Sequence, residues 1–160
     1  LLGGAEGRRA RRRDSAEGHA MSRPKRPEHA VTTDHAIGLH HCDLLGVAWH
    51  GRYFEWLELA RTALFQSRDL DVPQIRALGH RMYVVETNCR YMAPLSYGET
   101  ARITAWFTQV APLIRVAYDI YNPATDRWSA RALTVLATTA LDGTLLPTTP
   151  DALLARLPAR

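Results

Sequence analysis

The chain has 160 residues, enough for one domain with a substantial core. Hydrophobic residues make up 46% and charged residues 22%, an ordinary globular balance that excludes a low-complexity chain. The net charge of +4 would point to a nucleic-acid partner only if it were spread over a folded surface, and it is not.

Residues 1–30 hold eight basic residues, including the run RRARRR, against four acids. This segment carries the whole excess, and residues 31–160 are neutral. The body therefore has no basic stripe, and no nucleic-acid partner is expected. The tail has no aromatic or β-branched residue to offset its ordering entropy, so it reads as disordered ahead of a domain at 31–160. LLGG is too short for a signal-peptide core, and four acids argue against an Arg-rich presequence. Met21 opens MSRPKRPEHAV, a second place for the biological start. Deleting residues 1–20 is expected to leave melting temperature and activity almost unchanged; a large loss of either would show that the arm packs on the body. Cys42 and Cys89 form no CxxC pair, which makes a reducing cytoplasm the expectation. No apolar run approaches the length of a membrane span.

In chain order, Ala30–His41 is rich in β-branched residues and reads as a first strand. From Arg52 to Ser67, Tyr53, Trp56, Leu57, Ala60, Leu64 and Phe65 recur at helical spacing. This helix is apolar over more than one narrow stripe, which suits an element wrapped by a sheet. Asp71–Gly79 is a short helix with Pro near its start and Gly at its end. Four strands follow: Arg81–Met92, Thr100–Val110, Leu113–Asn122 and Arg127–Leu141. Pro112 marks a tight connection, and Asp142-Gly143 is a hairpin signal with only a short extended segment behind it. A last helical turn starts at Pro150 or Asp151. Strand, long helix, then a run of antiparallel strands gives an α+β fold with the helix on one face of a sheet.

One stretch raises a question. Asp43 stands beside Leu44, Leu45 and Val47, just before the helix, and a carboxylate that loses water without a partner is costly. The segment Asp43-Leu44-Leu45-Gly46-Val47-Ala48-Trp49-His50-Gly51-Arg52-Tyr53 resembles the signature of the 4-hydroxybenzoyl-CoA thioesterase family, whose relatives include the Tol–Pal-associated type. That signature runs Asp, two residues, Gly, a small apolar pair, an aromatic, His or Tyr, two residues, Tyr. Glu58, Ala60, Arg61 and Thr62 match its ExART continuation, and YMAPLSYGE (Tyr91–Glu99) resembles its second motif, a turn. Two ordered matches at the right spacing are a far more specific signal than either alone.

The resemblance implies a hotdog fold, a homodimer or homotetramer, and hydrolysis of an acyl-CoA or acyl carrier protein thioester. A non-catalytic acyl-CoA-binding protein of the same fold is the other reading. Asp43 is then the catalytic carboxylate, as nucleophile or general base, with His50 and Gly51 supplying backbone N–H groups that polarise the carbonyl. Gly46, Val47, Trp49, Tyr53 and Glu58 are the substrate-binding candidates. The chemistry fits the residue types: attack on a thioester loads negative charge on oxygen, and N–H donors at a helix start stabilise it without a metal or cofactor. The same helix end favours an ionised Asp43.

Two departures bear on substrate choice. His41 stands where many relatives carry a second Asp, and Leu44 and Leu45 replace small or Pro residues. Glu58 and Arg61, three apart, also fit an ordinary helix ion pair, and Tyr53 fits core packing. His35, His40 and His41 invite a metal, but His40 and His41 would point to opposite faces of a strand, so none is expected. Cys42 and Cys89 read as small hydrophobes. Arg90, Arg102 and Arg115 fit a solvated sheet face as well as a phosphate contact.

Overall fold

Apolar residues at every second position make the C-terminal runs into strands that bury one face. The computed structural model describes residues 25–159. Strands β1 (Val31–Ala36), β2 (His80–Tyr91), β3 (Thr100–Gln109), β4 (Ile114–Asn122) and β5 (Arg127–Ala140) form one sheet in the order β1-β3-β4-β5-β2. Each neighbouring pair is antiparallel. On β3 the buried side is Ala101, Ile103, Ala105 and Phe107; on β4 it includes Ile114, Val116, Tyr118 and Ile120.

Helix α1 (Arg52–Gln66) lays Tyr53, Trp56, Leu57, Ala60, Leu64 and Phe65 onto this face. It packs against β1 and β3, with the Phe65 ring edge-on to Phe107 at 5.1 Å. The short helix α2 (Val72–Ala77) packs on β2 instead. Its start is capped by Asp71, whose Oδ1 accepts the Val72 N–H at 2.7 Å. A last turn, α3 (Asp151–Leu154), inserts Leu153 into the core. Among the described residues no helix is long and apolar enough to cross a membrane.

The structure corrects several sequence expectations. The first strand stops at Ala36 rather than His41, and Leu39–His41 form a single 3-10 turn. In that turn His41 donates its N–H to the Gly38 carbonyl, and the Gly38 N–H donates to His41 Nδ1, both at 3.0 Å. The His40 and His41 rings are 3.9 Å apart, so they do not point to opposite faces. On β2 the register against β5 shifts between Val84 and Glu86, a bulge no sequence signal marked. Asp142-Gly143 does form a tight turn, and beyond it a short stretch pairs back, Leu145 opposite Thr139 and the Leu146 N–H donating to the Thr138 carbonyl.

The described residues ahead of β1 also touch the sheet. Arg26 pairs with Asp119, and its guanidinium lies 4.4 Å above the Trp106 ring. His29 Nε2 accepts the Phe107 N–H at 3.2 Å. Arg26 and His29 thus contact β3 and β4, while RRARRR falls outside the described residues. Asp119, 3% exposed, is flanked on its other side by Arg131 Nε at 3.2 Å from Oδ1.

Candidate active site

The segment before α1 is shaped by Asp43 itself. Its Oδ1 accepts the Leu45 N–H at 2.8 Å, and its carbonyl accepts the Gly46 N–H at 3.0 Å. The Asp43 N–H donates to the Val47 carbonyl at 2.9 Å, closing the loop. Gly46 has φ +75°, a conformation that side chains rarely adopt, so the turn requires glycine here. Cys42 and Ala48 then pair across the loop's base. This turn answers the question of Asp43 differently from expectation. The carboxylate is only half-buried, its partner is a local amide, and Leu44 and Leu45 project fully into solvent from the tip.

The second motif braces this loop. Ala48 donates its N–H to the Leu95 carbonyl at 2.7 Å, and Val47 pairs with Ser96. Glu99 Oε2 accepts from the Ser96 N–H at 2.7 Å and from Asn122 Nδ2 at 2.8 Å, which satisfies an amide side chain that is 1% exposed. Gly98, at φ +83°, lets the turn close.

Between loop and motif lies an open depression of about 320 Å³, lined by Asp43, Val47, Ala48, His50, Tyr53, Tyr91, Met92, Ala93 and Pro94. Asp43 is the only acid among the described residues that line it. The start of α1 contributes His50. Arg52 and Phe54 donate their N–H groups to the Trp49 and Gly51 carbonyls, and among the described residues neither the His50 nor the Gly51 N–H has a backbone acceptor. Such unengaged donors at a helix start favour negative charge. A carboxylate and a helix N-terminus facing one cavity can activate water, or attack directly, while stabilising a developing oxyanion.

The structure therefore brings Asp43, Val47, His50 and Tyr53 into one lining, with Gly51 next to His50 in the chain, and leaves Gly46, Trp49 and Glu58 outside that lining. Gly46 serves the turn. Trp49 and Gly51 stand beside the depression, with the indole lying over the glycine so closely that a Cβ there would meet it at 2.3 Å. Tyr53 is 2% exposed, and burial pushes its hydroxyl up to about 12. Glu58 lies apart: it pairs with Arg61 at 2.9 Å on the rim of a second, largely apolar depression that also takes in Phe65, Ile75 and Met82. His41, in the place of the second Asp, packs edge-on to Trp56 at 5.4 Å, and burial holds its imidazole below the ordinary range. Arg102 is engaged by both oxygens of Asp34, at 2.8 and 2.7 Å. Tyr91 to Pro94 escaped the sequence reading as lining residues, although the motif that contains them was visible. Among the described residues no cluster of His, Cys, Asp or Glu is arranged to hold a metal.

Residues 37–157 match the model of the thioesterase-like superfamily. The chain belongs to this superfamily. A candidate acyl-CoA thioesterase of Bacillus subtilis, YneP, is 36% identical over 83 residues, 51% of this chain and 60% of that protein. A candidate esterase of Synechocystis, sll0410, is 37% identical over 71 residues, 44% of this chain and 43% of its own length. The chain spans less than two thirds of the length of both relatives. Solved superfamily-like structures carry the same five-stranded antiparallel sheet and central helix, the hotdog fold. The 1,4-dihydroxy-2-naphthoyl-CoA thioesterase Slr0204 of Synechocystis has a TM-score of 0.70 at 20% identity, covering 80% of this chain and 95% of that one. The Aquifex aeolicus protein AQ1494 has a TM-score of 0.72 at 19% identity, covering 80% and 99%. The Staphylococcus aureus protein SAV2348, solved in complex with CoA, has a TM-score of 0.71 at 10% identity, covering 82% and 87%.

Proposed function

We propose that this superfamily member hydrolyses acyl-CoA thioesters to a free acid and CoA. The observation that carries the reading is that Asp43 and His50, the latter at the start of α1, line one depression. Asp43 acts as nucleophile or general base on the thioester carbonyl. The Gly51 and His50 amides receive the oxyanion charge as donors already in place before that charge develops. Val47 and Tyr53 shape the wall around the acyl group. The relative solved with CoA and the candidate acyl-CoA thioesterase among the curated relatives both support CoA as the carrier. Release of free thiol from a panel of acyl-CoAs, from short aliphatic to aromatic and long-chain, tests the reading. No release from any of them would overturn it.

The active form is a dimer or a dimer of dimers. Strand β2 stands at the sheet edge, twelve residues long, with Tyr83, Val84 and Val85 exposed at 48%, 46% and 57%. A long apolar edge is a template for pairing, and a second copy supplies its partner through a two-fold axis. Sedimentation at micromolar concentration is expected to give at least twice the 17.9 kDa chain mass. An active species at the single-chain mass would contradict this.

A further inference from the structure

Tyr91 ends β2, where it pairs with Ala130, and the next two amides, of Met92 and Ala93, both donate to the Ser129 carbonyl at 2.8 and 3.2 Å. The sheet thus holds this residue's backbone firmly. Its ring stands edge-on to Tyr53 at 4.9 Å and edge-on to the His50 imidazole at 6.3 Å. From there the hydroxyl donates to the His50 carbonyl oxygen at 2.9 Å, a bond that joins positions 41 residues apart. Burial pushes this hydroxyl up to about 12, so it keeps its proton at neutral pH.

A trans peptide is planar, so the His50 carbonyl and the Gly51 N–H lie in one plane and point in opposite directions along it. A bond held on the oxygen sets the direction of the amide hydrogen. The neighbouring flank is occupied by the Trp49 indole, which lies against the Gly51 Cα and leaves no space for a side chain. The peptide is therefore clasped by a hydrogen bond at its oxygen and an aromatic wall beside its glycine.

We propose that Tyr91 is a positioning residue that aims the Gly51 N–H at the substrate carbonyl by holding the His50–Gly51 peptide from its oxygen side. The substrate in this statement rests on the thioesterase reading; the clasp itself does not. An amide stabilises a forming oxyanion only if it is aimed before the charge appears. A misplacement of about 1 Å in such a group costs on the order of a hundredfold in rate. Binding of the rest of the thioester does not depend on that aim, so the loss belongs in kcat rather than KM.

Tyr91→Phe keeps the ring contacts and removes only the hydroxyl. On the best acyl-CoA substrate, kcat is expected to fall at least roughly tenfold, with KM within about twofold of the parent and the melting temperature close to it. Without any substrate, the Gly51 amide resonance is expected to shift and its hydrogen exchange to quicken. A kcat within about twofold of the parent, or a fall matched by a general loss of fold, would overturn the proposal. If the parent hydrolyses no acyl-CoA, the thioesterase reading falls while the Gly51 resonance still decides: a shift upholds the clasp, and an unmoved resonance removes it.

Discussion

Asp43→Asn is expected to lower turnover by about two orders of magnitude or more, the scale of a lost general base, while substrate binding changes far less. The amide nearly matches the carboxylate in size, and its oxygen can still accept the Leu45 N–H that shapes the turn. It cannot carry the negative charge that attack or proton abstraction needs. Secondary structure and oligomeric state should stay as in the parent, separating lost chemistry from lost fold. Asp43→Ala, run beside it, guards against deamidation of the Asn, and it also loses the Leu45 bond, worth about 1 kcal/mol. If both variants turn over the best substrate within a few-fold of the parent, Asp43 is not the catalytic carboxylate.

The second large effect concerns the fold. Leu64 is fully buried on the core face of α1, within the main hydrophobic cluster. Leu64→Ala should cost about 2–5 kcal/mol, the transfer term plus the cavity left behind. Thermal unfolding should shift downward by about 10 °C for a domain of this size. Leu64 lies about 20 Å along the helix from His50, so turnover per folded molecule at low temperature should change little. A melting temperature within about 2 °C of the parent would show that α1 does not seat on the sheet as described.

Much of this was legible because period-two strands and a 3.6-residue helix declare themselves through which residues are apolar. Arg52–Gln66 and the four C-terminal strands appear close to their expected bounds for that reason. The turn at Leu39–His41 did not, because its making depends on His41 Nδ1 accepting the Gly38 N–H, a side-chain bond that periodicity does not encode. The Val84–Glu86 bulge is likewise a property of pairing between distant strands.

The site was read in part. Asp43, Val47, His50 and Tyr53 sit close in sequence and share one cavity, so a local motif captured them. Tyr91 to Pro94 join them through contacts between distant segments, Tyr91 with His50 and Tyr53 and the following turn with Val47 and Ala48, and no spacing rule within one segment predicts that. Glu58 shows the opposite limit: it lies on the right helix, but its partner is Arg61 and its face borders another depression. The cost of a buried acid was a sound concern placed on the wrong residue. Asp43 keeps contact with water, whereas Asp119 is buried in β4 and compensated by Arg26 and Arg131.

The most direct measurement is release of free CoA thiol by the purified chain from the acyl-CoA panel, with the parent and Asp43→Asn assayed side by side. Saturable release by the parent, reduced by about a hundredfold or more in the variant, is the predicted result. A folded, dimeric parent that releases no thiol from any acyl-CoA, or a variant that releases it as fast as the parent, would contradict an acyl-CoA thioesterase working through Asp43.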